Sequence, residues 1–158
     1  MDGDRVTAQH ILGLELPREF PNKDDLVGLL PIQLRRMDES PNRLEWMVRL
    51  MVAKEGISDA VVGHCGFHGP PDVIGRAEIG YTVFALHRGR GYAKEAAAAL
   101  VRWAFAQGEH EVYATISPDN ASSLAVAKRV GFIEIGEQVD EVDGLELVFM
   151  IRRDAWDK

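Results

Sequence analysis

A single cysteine, Cys65, in 158 residues excludes an intrachain disulfide and any metal site built from cysteines. The chain has no apolar run near the roughly 20 residues needed to cross a bilayer, and its N-terminus lacks the apolar core of a signal peptide. Positive charge is scarce: 18 Lys and Arg stand against 25 Asp and Glu, a net charge of −7 that argues against a nucleic-acid partner. No low-complexity tract or fixed-period repeat interrupts a composition that is 46% apolar and 27% charged, the balance of a soluble globular domain. Neither the P-loop pattern G-x-x-x-x-G-K-[ST] nor a G-x-G-x-x-G turn after the first strand is present. These absences predict one soluble, cytoplasmic domain without a membrane or nucleic-acid partner, whose thiol packs in the core.

Against this acidic background one basic loop stands out, His87-Arg88-Gly89-Arg90-Gly91-Tyr92-Ala93-Lys94. It follows the strand-like run Arg76 to Phe84 and opens the alanine-rich stretch Ala93 to Ala106, which has the composition of a helix. A strand-to-helix turn presents first-turn amides and the positive end of the helix dipole, and Gly89 and Gly91 let the backbone approach an anion while Arg88 and Arg90 add charge. The expected ligand is phosphorylated.

The flanking elements follow from periodicity and turn residues. Two helical pieces are expected, Asp4 to Leu14 and Asp24 to Met37, the second broken near Pro31. Leu44 to Ala53, Ala60 to His68 and Arg76 to Phe84 read as an antiparallel meander, with turns at Glu55-Gly56 and at Gly69 to Asp72. Glu111 to Ile116 is the next strand, reached by a crossover helix and therefore parallel to Arg76–Phe84. A helix from Ala121 to Val130, N-capped by Asn120, precedes a hairpin of Phe132 to Gln138 and Leu145 to Ile151 around Asp143-Gly144. The expected class is α/β (α+β) with a mixed, mostly antiparallel sheet.

Arg88-x-x-Gly91-x-Ala93 resembles the pyrophosphate motif of the GCN5-related N-acetyltransferases, the GNAT superfamily, and Asn120 to Phe132, with its N-x-x-S and terminal Gly131-Phe132, resembles their second motif. Within the superfamily the sequence resembles the ribosomal-protein-acetylating branch and its many uncharacterised relatives. The resemblance implies a GNAT-type sheet whose parallel strands splay to admit acetyl-CoA, with residues 1–43 as a helical acceptor-side segment, 44–132 carrying the acetyl-CoA motifs, and 133–158 the C-terminal hairpin. It further implies that Val83 meets the pantetheine arm, that Gly89, Arg90, Gly91, Tyr92, Ala93 and Lys94 with Arg88 hold the pyrophosphate, and that Asn120 and Ser123 face the thioester end. The implied reaction is acetyl transfer from acetyl-CoA to a primary amine, on a small molecule or a protein, by direct attack in a ternary complex. Glu78 is the implied candidate base. Period two places it on one strand face with Gly80, Thr82 and Phe84, opposite Ala77, Ile79, Tyr81 and Val83.

Two departures qualify the resemblance. The tyrosine that many family members carry four residues before the motif glycine is replaced by Ala127, leaving solvent or Ser123, with Tyr81 and Tyr92 as alternatives, to protonate the CoA thiolate. A noncatalytic acyl-CoA-binding protein of the same fold is therefore the alternative. The chain also enters its helices without a first strand, which leaves the sheet edge exposed, absent or paired in a homodimer. His64 and His68 share a strand face, but Cys65 points away from them, so no metal site is expected and a polar role in the acceptor cleft is favoured. Six acids between Arg129 and Arg152 (Glu134, Glu137, Asp140, Glu141, Asp143 and Glu146) read first as a solvated face and otherwise as a lure for a cationic amine. Trp46, Trp103 and Phe105 are expected core aromatics.

Overall fold

A computed structural model describes residues 3–55 and 58–156. Six strands form one sheet in the order β1-β2-β3-β4-β6-β5, where β1 is Arg49–Glu55, β2 Ser58–Phe67, β3 Ala77–Val83, β4 Glu111–Ile116, β5 Ile133–Asp140 and β6 Gly144–Arg152. Every neighbouring pair is antiparallel except β3 and β4. The expected meander, the parallel pair and the C-terminal hairpin are all present. The expected Glu55-Gly56 turn lies outside the described residues beyond Glu55.

The helices are α1 (Gly3–Leu12), α2 (Leu30–Glu39), a short α3 (Pro71–Ile74), α4 (Tyr92–Ala106), α5 (Ala121–Val130) and a short α6 (Arg153–Trp156). Pro31 does not break the second helical piece as expected. It sits in the first turn of α2, where no amide donor is needed, and the irregularity lies upstream as a π-helical turn over Asp25–Leu29. Leu44 also starts too early as a strand: Leu44–Trp46 is a 3-10 turn that buries Trp46, and pairing begins only at Arg49.

The core lies on one face of the sheet. In α4 the buried positions Ala97, Leu100, Val101, Ala104 and Phe105 follow helical spacing, and they pack on the inward residues Val112, Ala114 and Ile116 that alternate along β4. Trp46 joins them by meeting Phe67 and Trp103 edge to face, with ring centroids 4.7 and 4.8 Å apart, while Phe67 and Trp103 lie tilted to each other at 5.4 Å. Each such fully buried large apolar side chain contributes about 1.5–3 kcal/mol. Cys65 belongs to this core, and burial pushes its thiol pKa up, which keeps it an unreactive thiol.

On the opposite face the N-terminal segment is fastened by a smaller cluster of Phe20, Val61 and Phe84. The Arg5 guanidinium donates to the main-chain oxygens of Phe20 at 2.9 Å and Leu16 at 2.7 Å, and to that of Pro17, so the loop after α1 is held against it. Gln33 of α2 accepts from the Val48 amide at 3.0 Å. Among the described residues no strand precedes β1, which pairs only with β2 and forms the sheet edge.

Candidate active site

The parallel pairing of β3 with β4 is short. Only Ala77↔Val112 and Glu78↔Tyr113 are partners, although β3 continues to Val83 and β4 to Ile116. The two strands therefore fork immediately after Glu78. On its other side β3 stays paired with β2 as far as Val83, with hydrogen bonds from the His68 amide to the Glu78 carbonyl and from the Phe84 amide to the Val62 carbonyl. Antiparallel alternation then turns the main-chain groups of Tyr81 and Val83 away from β2 and toward the fork. A cleft of about 420 Å³ fills it, lined by Gly80, Tyr81, Thr115, Asn120 and Ser123 along its walls and by His68, Asp143 and Glu146 on the hairpin side.

The basic turn lies beyond the end of β3. Gly89 and Gly91 have φ of +77° and +91°, a left-handed conformation that only glycine adopts without strain, and a Cβ at either would meet nothing within 4 Å. Gly91 is the N-cap of α4 and makes no side-chain cap hydrogen bond, so no side chain of its own covers the first-turn amides. Arg88 folds back, its Nε donating to the Val83 carbonyl at 3.0 Å, which joins the turn to the strand end.

Asn120 caps α5 as expected: its Oδ1 accepts from the Ser123 amide at 3.1 Å and from the Ser122 hydroxyl at 2.9 Å. Ser123 faces the fork, and the Tyr81 hydroxyl reaches its carbonyl at 3.4 Å, bridging β3 to α5. Burial raises the Tyr81 pKa. Ala127, where a tyrosine was sought, is buried in the core.

Glu78 stands at the point of the fork, only 6% exposed. Its Oε2 accepts from Arg76 Nε at 2.7 Å, its Oε1 accepts from the Thr115 hydroxyl at 2.5 Å, and His68 Nδ1 is 3.5 Å from Oε1. Arg76 extends the network to Gln138 at 3.1 Å, and Gln138 donates to Glu146 at 3.0 Å. The Arg76 guanidinium also lies 5.4 Å from the Tyr113 ring. The face assigned to Glu78 by alternation is correct, but the carboxylate is enclosed and not presented directly to the cleft.

The two histidines separate. His64 is buried beside Phe20, Phe84 and Asp25, whereas His68 lines the cleft. The acidic hairpin also divides: Asp143 and Glu146 line the cleft, Asp140 accepts from the Val142 and Asp143 amides to shape the turn, and Glu134, Glu137 and Glu141 meet solvent. Those backbone bonds lower the Asp140 pKa. Thr115 was not singled out in the sequence, although alternation along β4 places it opposite the core face with Glu111 and Tyr113. A larger cavity, about 710 Å³, lies between edge strand β1 and α4 and shares no lining residue with the fork.

Residues 21–133 match the family described as the acetyltransferase (GNAT) domain. An uncharacterized N-acetyltransferase of Bacillus subtilis, YjdG, is 31% identical over 125 residues, which cover 77% of this chain and 71% of that protein. Two further curated relatives are matched over about half of their own length. Among solved structures, the ribosomal-protein-S5-alanine acetyltransferase of Vibrio fischeri superposes with a TM-score of 0.61 at 18% identity, covering 97% of this chain and 86% of that one. The microcin C7 self-immunity acetyltransferase MccE, solved with acetyl-CoA and AMP, superposes with a TM-score of 0.64 at 18% identity, covering 96% and 82%. These two likenesses concern the fold. With the family match spanning most of its length, the chain belongs to the GNAT acetyltransferases.

Proposed function

We propose that the protein transfers the acetyl group of acetyl-CoA to a primary amine by direct attack in a ternary complex. The observation that carries this reading is the fork after Glu78, with a glycine turn and the N-terminus of α4 beyond one end and a carboxylate network at the other. Acetyl-CoA fits these features: the turn from Arg88 through Gly89, Arg90, Gly91, Tyr92 and Ala93 to Lys94 receives the pyrophosphate, the turned-out main chain at Val83 receives the pantetheine amides as a strand would, and Asn120 and Ser123 flank the thioester. The mechanism asks for three things: an amine held in line with the carbonyl carbon, removal of its proton, and a proton for the departing thiolate. Glu78 belongs to the proton-removing end. Ser123, on the α5 wall, is our choice of donor to the thiolate. Asp143 and Glu146 favour a positively charged acceptor, such as a protein amino group, a polyamine or another small amine.

Calorimetric titration with acetyl-CoA, with ATP and NAD as controls, tests the donor. Micromolar binding, corresponding to about 8 kcal/mol, is expected, and it should disappear in Gly91→Glu, which places a carboxylate where the pyrophosphate sits. Thiol release that depends on an added primary amine then tests transfer. Tight binding without release across a broad amine panel would instead favour the noncatalytic acyl-CoA-binding reading that Ala127 motivates.

A further inference from the structure

We infer that His68 accepts the proton of the attacking amine, and that Glu78 is its positioning residue. The inference rests on the acetyl-transfer reading above and changes the role of Glu78 within it.

Glu78 is poorly placed to meet a substrate itself. Its side chain is 8% exposed, and both of its oxygens are engaged, Oε2 by Arg76 and Oε1 by Thr115. What the carboxylate offers the cleft is its 3.5 Å approach to His68 Nδ1. The His68 side chain is 46% exposed and lines the cleft. Its main chain is held by the bond from its amide to the Glu78 carbonyl at 2.8 Å, so the ring stands on the residue just past the end of β2, across from the carboxylate on β3.

The ring has one direction left for chemistry. A carboxylate beside Nδ1 favours the tautomer with the proton on that nitrogen, which makes Nε2 the acceptor. Nε2 lies over Gly80: a Cβ built there would stand 3.1 Å from it. Gly80 is itself part of the cleft wall, just past the last β3/β4 pair. The missing Cβ of Gly80 leaves room for the Nε2 edge of the imidazole beside the cleft wall. Asp143 and Glu146 line the same cleft as His68, so the ring shares it with two carboxylates that attract a cationic amine.

The step balances without another reactant. The acceptor ammonium first loses one proton to solvent. Its nitrogen then forms the N–C bond to the acetyl carbon while its second proton passes to Nε2. The C–S bond breaks, the thiolate takes a proton from the α5 side or from solvent, and His68 returns its own to water.

Two measurements decide the assignment. In the wild-type protein, histidine 15N NMR, with the signal assigned by its loss in His68→Gln, should show the Nδ1–H tautomer, and Glu78→Gln should shift it toward Nε2–H. An Nε2–H tautomer in the wild type overturns the proposal, and this readout needs no acceptor. With acetyl-CoA and an accepting primary amine from the panel, His68→Gln should lower kcat about 100-fold or more while leaving the acetyl-CoA Kd and the melting temperature unchanged. His68→Ala should regain turnover when imidazole is added, whereas Glu78→Gln should not. Wild-type kcat in His68→Gln overturns the proposal even if transfer is robust. A wild-type protein that acetylates nothing overturns the transfer reading instead, and the tautomer still judges the His68–Glu78 pair.

Discussion

The Thr115 hydroxyl donates to Glu78 Oε1 at 2.5 Å, joining β4 to β3 beside the last main-chain pair before the strands part. This side-chain bond secures the point of the fork where the backbone ladder has ended. Thr115→Val keeps the shape but removes the donor, leaving a buried carboxylate oxygen short of a partner. The expected cost is about 1–3 kcal/mol of unfolding free energy, measured by urea denaturation. The kcat should fall while the acetyl-CoA Kd holds, because the carboxylate lies away from the phosphate turn.

Gly80 and Gly66 are directly opposite each other in the β2/β3 pairing, yet they should respond differently to alanine. At Gly66 a Cβ would stand 2.6 Å from the Val48 Cα and 2.7 Å from the Met47 carbonyl, both backbone atoms with little freedom to retreat. Gly66→Ala should destabilise the fold by about 1–3 kcal/mol through overpacking. At Gly80 the obstacle is the His68 ring, so Gly80→Ala should leave the melting temperature nearly intact and lower turnover. Thermal melts beside steady-state rates separate the two.

His64 makes stability depend on pH. Its imidazole is buried between Phe20 and Phe84, and burial holds its pKa below the ordinary 6.5 despite Asp25 at 3.7 Å. The folded state thus binds fewer protons at this site than the unfolded state does, so the contribution of His64 to stability is complete above 6.5 and is lost as pH falls through that value. Melting temperatures measured from pH 8 down to pH 5 should decline below about 6.5. His64→Phe should flatten the decline, because an aromatic ring remains and no proton is taken up.

Asp143 lines the cleft from an exposed hairpin turn, where its charge acts on the acceptor with little cost to the fold. Asp143→Asn should raise the KM for a dicationic amine by about 1.4- to 5-fold, the equivalent of about 0.2–1 kcal/mol of lost attraction for a solvent-exposed charge pair. The effect should shrink as salt is added and should be smaller for a monoamine. An unchanged KM would remove the hairpin from acceptor recognition.

Much of this protein was legible in its sequence because the signals concerned are local. Glu111–Ile116, the strand after the crossover helix, and Ala121–Val130, with its asparagine cap and closing glycine, are delimited to the residue by the sequence. The basic turn was legible for the same reason: two glycines at a strand-to-helix junction have few other uses, and both adopt positive φ. Where local signals conflicted, tertiary context decided. Pro31 breaks a helix interior but suits a first turn, and only the π-helical segment upstream shows which applies.

The chemistry of the cleft was less legible because it is assembled from distant residues. His64 and His68 are equivalent by alternation, yet the four residue steps from one to the other span about 13 Å, enough for one to lie under Phe20 and the other beside Glu78. Glu78 bonds to Thr115 across 37 positions, and Arg76 to Gln138 across 62. Sequence determined most of the elements, their order and the glycine turn that opens α4, since these depend on near-neighbour geometry. Tertiary structure alone decided that Glu78 is enclosed, that His68 meets the cleft and that Asp143 and Glu146 line it, because strand forking and hairpin docking bring together side chains whose spacing along the chain carries no trace of their contact.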